Sequence, residues 1–596
     1  MTKSTWKYAL IPAIAMTILA LYPQVSLWIS QGSAWNGSYH VTNYDEVAYS
    51  AYVNALINGA PRKNDPFLGR SDSPETPQPE TLYSVQFIPA YSIAIPARLL
   101  GLSASTAFIL LIVIIAIFSS LAVYWLFYDA VSDTQLSAVG TLAVLCLGTA
   151  AAFAGELRFL LTGNILADFL PFLRRYQPGF AFPIFFVFCV LAKRAFNSEF
   201  GKQAAKHAVA TGITFTILVY SYFYLWTAAA AFLACFGAAS FVLNRAAWKR
   251  IATVCLIVGV IGVAALVPYF YLLNQRSTNL DNVQLLALTR VPQFAAPSLI
   301  IGLIIAAIAV FAIRKGRSTW KDVRLPLIFG LSLMPLILFN QQVITGHSLQ
   351  PVHYELFIAN YMVVAAAILT LSLFLGVSEG ETEAMPNPRW LVYLGFAVFF
   401  WGFYETAAPT ARNAITAEIR DESVLAVRYA AKSASKGTAI LATNFVTADA
   451  IPTFTNVRPL WNPHTSSAGG VDVEENKRLF YLHVYFSGFN EESLRQALRG
   501  HSFEVTAALF GANRALPDLG EGAPVTSAEI DAACAKYATF ARSFDARQAY
   551  DPVLSSFIVP TELDTPGNID RWYDRDEGKD FGFFRVYKLK PKFAVN

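Results

Sequence analysis

Asp45 and Glu46 stand side by side in NYDEVAYSAYVNALINGAPRKNDPF, a stretch of mixed chemistry after the first long apolar run of the chain. Carboxylates at a membrane surface are poorly placed for lipid contact and well placed to take a proton from a hydroxyl delivered at the bilayer edge. The segment Asn43 to Asn58 reads as a short amphipathic helix, with Asn43 as candidate cap, Glu46 three residues on and Gly59 as the stop. Tyr44, Ala48, Ala51, Tyr52 and Ala55 would share its apolar side. Acids in a first helical turn also favour the helix dipole with no catalytic role. On a helix the two acids point about 100° apart and so do different jobs. Asp45 is assigned the site and Glu46 the role of cap or assistant.

Two further segments carry groups that suit an anionic ligand. In GELRFLLTGNILADFLPFLRRYQ (155–177), Arg158, Arg174 and Arg175 lie where the charge pattern below puts the outer side, which normally disfavours positive residues. A phosphate supplies a cause, because guanidinium bonds two oxygens at once. The alternative is snorkelling to lipid headgroups or pairing with Glu156 and Asp168, and Asp168 is also a possible second acid of the site. In NQQVITGHSLQPVHYELFIANY, His347 and His353 bracket a turn-prone Gly and Pro, with Glu355 close behind. The spacing matches no recognised zinc motif, so no metal is assigned, and hydrogen bonding to a phosphate or sugar suits this turn at least as well. His353 and Glu355 could instead satisfy the end of the next membrane helix.

The elements that must position these residues are membrane spans. Apolar residues form 55% of the 596 and charged residues 14%, and mean hydropathy is +0.43. About eleven apolar stretches are long enough to cross ~30 Å of hydrocarbon. They lie near 6–30, 104–127, 135–155, 178–196, 207–223, 224–243, 250–273, 297–313, 325–345, 355–376 and 389–408. The first follows Lys3 and Lys7 and is read as an anchor, since no small-residue cleavage site follows it. Basic loops at 193–206, 244–250 and 314–324 are placed in the cytoplasm. The connections 128–134 and 377–388 fall on the same side without basic residues. Pro89 and Pro96 make 83–101 a reentrant or surface element rather than a span. This topology sets the Asp45 loop, 155–177, 345–354 and everything after about 409 outside. It also puts Tyr220, Tyr222, Tyr224 and Trp226 at the outer interface as lipid anchors.

The fold expected is an α-helical polytopic membrane protein with a C-terminal extracytoplasmic α/β domain. Residues 1–409 would form the membrane domain, with an acid-bearing outer loop at 31–103, and 410–596 the soluble domain. In the tail, a helix through 421–436 and β-type runs at TAILATN, SSFIVPT and FGFFRVYKL support that reading, and no glycine fingerprint, metal spacing or nucleophile elbow occurs there. Cys146, Cys189, Cys235, Cys255 and Cys534 give no disulfide framework. The net charge of +4 is scattered among loops, which excludes a nucleic-acid stripe.

Taken together, these elements resemble the GT-C class of membrane glycosyltransferases, which includes protein O-mannosyltransferases and lipid A aminoarabinose transferases. The resemblance is architectural over the first ~410 residues. It is sharpest at YDE (Tyr44 to Glu46), and continues through RRYQPGFAFPIFF, TGHSLQPVHYELF and, in the tail, NFVTADAIPTFTNVRPLW. It implies a donor sugar on a polyprenyl phosphate, a glycan, lipid or protein acceptor, and reaction at the outer face of a bacterial inner membrane. Carried onto matching positions, it makes Asp45 the general base of an inverting transfer, with Arg174, Arg175 and the histidines stabilising the departing phosphate. No cofactor is implied. Some members of the class hold a divalent cation with acidic motifs, and here Val47 stands where a further carboxylate would, so a cation stays an open alternative. Two other readings are a transporter or flippase of lipid-linked sugars and a noncatalytic envelope-assembly partner.

Overall fold

A computed structural model describes residues 3–199, 201–375, 389–467, 469–515, 523–563 and 567–593. Among them, helices occupy all eleven predicted spans, and eight are long and apolar enough to cross a membrane by length and composition. These are Thr5–Ala34, Ala104–Val131, Thr134–Thr162, Phe223–Leu243, Arg245–Leu273, Pro297–Arg314, Pro351–Phe374 and Arg389–Arg412. Eight of the eleven expected spans thus meet that criterion among the described residues. Leu325–Leu338 is only 14 residues long, and the helices Ala181–Asn197 and Lys202–Val219 carry Lys193, Arg194, Lys202 and Lys206 at their ends. The acidic connection 377–388 lies outside the described residues. The helix Phe87–Leu99 has 13 residues, or ~20 Å of rise, too short to span.

The chain divides into two compact units that do not follow sequence order. The first comprises Met1–Ser26, Leu110–Tyr271 and Leu288–Arg412; the second comprises Leu27–Ile109, Leu272–Ala287 and Asn413–Asn596. The acid-bearing loop, assigned from sequence to the membrane domain, packs with the tail instead.

In the first unit apolar side chains face outward. On Arg245–Leu273, Leu256, Val260, Val263 and Val267 recur at helical spacing and are 61–66% exposed, a face that suits lipid and not water. Inward faces use small residues to bring helices close. A side chain at Gly302 of Pro297–Arg314 would run into the Ser332 carbonyl of Leu325–Leu338, and one at Gly148 would strike the Tyr361 ring.

In the second unit a mixed sheet sits between two apolar layers. Its strands are β1 (Ala439–Ala442), β2 (Arg458–Pro459), β3 (Leu554–Pro560), β4 (Tyr573–Arg575), β5 (Lys579–Phe581) and β6 (Phe584–Pro591), in the order β2-β1-β3-β6-β4 with β5 also on β6. β1 runs parallel to β2 and β3, and β6 antiparallel to its neighbours. The period-2 alternation of a strand sends Leu441, Phe557, Val559 and Tyr587 to one core and Ile440, Ile558 and Val586 to the other. Helix Ala414–Ala431 covers the second face through Val427 and Ala430.

Candidate active site

The acid motif opens the helix Asp45–Ile57, which ends before Gly59 in the left-handed region at φ +91°. The cap position falls to Tyr44, without a side-chain cap bond, rather than to the expected Asn43. Asn43 shapes the entry from one residue earlier, its side-chain oxygen accepting the Asp45 N–H at 3.1 Å and its carbonyl the Glu46 N–H at 3.0 Å. The amphipathic expectation fails here. Glu46, Val47, Ala48, Tyr49, Ser50, Ala51, Tyr52 and Val53 are all buried, because the helix packs within the second unit on Phe87–Leu99 and Phe445–Phe454. Asn54 donates to the carbonyls of Pro452 and Thr455 at 3.0 Å, and the Ser50 and Thr453 hydroxyls lie 2.9 Å apart.

The two acids differ as their angular separation requires. Glu46 is fully buried, and its carboxylate accepts both the N–H and the hydroxyl of Thr42 at 3.0 Å, which ties the incoming loop to the helix. Asp45 is half-buried, so its carboxylate lies closer to solvent than that of Glu46.

Arg174 and Arg175 sit on a tight turn of the first unit, between Pro171–Leu173 and Ala181–Asn197. Arg174 is 4% exposed and Arg175 is fully buried. The Arg174 carbonyl accepts the Gly179 N–H at 3.1 Å, and a Cβ at Gly179 would come within 2.6 Å of that oxygen, so the turn needs glycine. The Arg174 guanidinium donates through Nε to the Gln177 carbonyl at 2.5 Å and through Nη2 to the Tyr222 hydroxyl at 3.2 Å. Its carbon lies 4.4 Å from the centre of the Phe357 ring.

His353 stands against that same Phe357 ring at 5.0 Å and against Tyr224 at 4.8 Å, and Tyr222 and Tyr224 contact each other at 5.3 Å. Arg174 and His353 therefore share one aromatic-walled region of the first unit. Tyr222 and Tyr224, expected as lipid anchors, are 4% and 3% exposed and line this region instead. Their spacing at an outer turn looks the same for either role, so no sequence signal separates the two.

The remaining candidates are placed apart from it. His347 is exposed and its Nδ1 lies 2.8 Å from the Thr345 carbonyl. Glu355 accepts the N–H of Ser298 at 3.0 Å and its hydroxyl at 2.6 Å, which satisfies the start of Pro297–Arg314 rather than the end of its own helix. Asp168 is paired at 3.0 Å with Arg412, which also holds Glu156. Glu405 in turn accepts the Glu156 N–H at 3.1 Å. Arg412 was not among the residues singled out from sequence, since it closes a predicted span and its partners lie far away in the chain. Among the described residues no group of three or more His, Cys, Asp or Glu is placed to hold a metal ion.

No family model and no curated protein matches this sequence. Similar solved structures include the oligosaccharyltransferase of Archaeoglobus fulgidus in the apo form, at 12% identity over 86% of this chain and 72% of that one, with a TM-score of 0.47. Oligosaccharyltransferase AglB of the same organism, in complex with an inhibitory peptide and a dolichol-phosphate, shows 12% identity over 98% and 75% with a TM-score of 0.41. ArnT from Cupriavidus metallidurans bound to undecaprenyl phosphate shows 11% identity over 96% and 97% with a TM-score of 0.38.

Proposed function

We propose that this integral membrane protein is an inverting glycosyltransferase that moves a sugar from a polyprenyl-phosphate donor to a hydroxylated acceptor at the outer face of a bacterial inner membrane. The observation that supports this most is the buried Arg174–Arg175 turn, with the Arg174 guanidinium carbon 4.4 Å from the centre of the Phe357 ring, beside His353. A fixed guanidinium with an imidazole against an aromatic wall, and a second buried arginine next along the turn, suit a phosphate carrying a long apolar chain. In the proposed reaction Asp45 takes the proton of the acceptor hydroxyl, and that oxygen attacks the anomeric carbon from the face opposite the phosphate. The bond from that carbon to the phosphate oxygen breaks, and the lipid phosphate leaves with the electron pair. The arginines stabilise the charge that develops on it. Glu46 assists by holding the loop that carries Asp45. Asp168 and Glu355 are left with structural roles, and His347 with none beyond its turn.

The experiment is release of free polyprenyl phosphate when purified, reconstituted protein meets a polyprenyl-phosphate sugar and an acceptor. Asp45→Asn should abolish release while folding is retained, since the change is nearly isosteric and removes only the proton acceptor. Glu46→Gln should lower the melting temperature more than turnover, because an amide nitrogen cannot accept what the second Glu46 oxygen accepts from Thr42. Donor carried across the bilayer without release would favour a transporter. Normal turnover by Asp45→Asn would remove it as base.

A further inference from the structure

The backbone leading into the acid motif is pinned at two points within the second unit. The buried Asp421 carboxylate accepts the N–H groups of Asn36 and Ser38 at 2.8 and 3.0 Å, and Glu46 holds Thr42. Beyond these pins comes Tyr44, next to Asp45, and its residue is 40% exposed. One contact of its ring is with His464, at 4.1 Å between centroids and 32° between planes, and Phe503 meets it edge-on at 6.2 Å.

His464 is itself built in. Its ring stacks on Phe67 at 6.4 Å, and Nδ1 lies 3.0 Å from Oδ2 of Asp449, with both side chains 2% exposed. Asp449 rides on Phe445–Phe454, the helix on which the acid helix packs. The loop carrying His464 is closed by Asn462 and Thr465, which exchange hydrogen bonds at 3.1 and 2.9 Å.

We infer that His464, backed by Asp449, is a positioning residue for Asp45: its ring is the wall that fixes Tyr44, and through Tyr44 the carboxylate one residue on. This rests on the reading of Asp45 as the base. A base has to be held to within ~0.5 Å, and a misplacement of ~1 Å costs about 100-fold in rate. The tail would then supply part of the mould of the acid motif. A His–Asp pair that merely fills a core would lower stability when removed and leave the turnover of folded protein unchanged.

The test uses the full-length protein in lipid, in a background lacking the five native cysteines, with a nitroxide label on Asp45→Cys. The label should be immobilised beside native His464 and mobile with His464→Ala. It should be immobilised again by His464→Phe combined with Asp449→Asn, which restores a ring and leaves no buried carboxylate unpaired. With Asp45 intact, His464→Ala should lower kcat about 100-fold with both KM values within about 2-fold, and the ring-restoring pair should recover most of it. Tyr44→Ala and His464→Ala together should be no slower than Tyr44→Ala alone. A label insensitive to His464→Ala, no recovery by the ring, or additive losses would overturn the inference. Should His464→Ala not fold, Asp449→Asn alone should give intermediate label mobility, and an unchanged spectrum would count against it. Free turnover by Asp45→Asn with a label that still responds to His464 would sink the assignment of the base and leave the positioning contact standing.

Discussion

A guanidinium bonded to a carbonyl on one side and a phenol on the other, over an aromatic ring, has little rotamer freedom left to lose when a phosphate arrives. That geometry makes Arg174 the more exacting of the two arginines. Arg174→Ala should lower transfer by about 100- to 1000-fold. Arg174→Lys should recover only part, because one ammonium cannot span Gln177 and Tyr222 while lying on Phe357. The check is kcat/KM for donor on each purified variant; near-parent values for Arg174→Ala would move the phosphate site elsewhere. Asp45 and Arg174 were legible as candidates because a chain so poor in charge makes each polar residue conspicuous. Their partners were not. Tyr222, Phe357 and His464 are ordinary aromatics until the fold sets them against a charged group. Asp168 and Glu355 were equally conspicuous as acids, but Arg412 and Ser298, which decide what they do, lie far from them in sequence.

At the scale of elements, apolar run length located the long helices of the membrane unit, and three of its eleven runs hold helices that fall short in length or hydropathy. Leu325–Leu338 shows why. Its 14 residues rise only ~21 Å, and the apolar stretch counted beyond it continues into the separate short helix Gln341–Thr345. The amphipathic reading of Asp45–Ile57 failed for a related reason. Periodicity records which faces are apolar, and a helix buried by neighbours on several sides has no single such face. Close packing can be tested at Gly302, where the facing Ser332 carbonyl belongs to backbone and cannot swing away. Gly302→Ala should destabilise the membrane unit by about 1–3 kcal/mol through overpacking. It should lower the melting temperature in detergent while leaving the turnover of the surviving folded protein near that of the parent. An unchanged melting temperature would mean that the two helices separate freely.

At the scale of the molecule, the division into units could not be read along the chain, since the second unit gathers an early loop, a short middle segment and the tail. The second unit carries a pH dependence of its own. Asp65 is buried and accepts the N–H groups of Phe67 and Leu68, yet burial wins and pushes its carboxyl up to about 6. The folded state then binds a proton more readily than the unfolded chain between about pH 6 and 4, so this group adds stability as pH falls through that window. The whole interval is worth about 3 kcal/mol. His483, buried against Trp461 and Phe445, is pushed down to about 3 and works in the opposite sense, losing stability as pH falls below its ordinary value. Relative to the parent, Asp65→Asn should therefore lose stability on acidification from pH 7 to 4, and His483→Phe should gain it, in unfolding followed by fluorescence; parallel curves for all three would refute both. The same compactness governs topology. Ser73 and Ser466 belong to one unit, so single cysteines at these positions, in a background without native cysteines, must react with an impermeant reagent from the same side of the membrane. With the basic loops at 193–206, 244–250 and 314–324 read as cytoplasmic, the proposal puts that side outside. Labelling of both in intact cells is expected. Labelling of both only after lysis would invert the orientation and move the proposed chemistry to the cytoplasmic face, whereas opposite behaviour at the two positions would contradict the second unit itself.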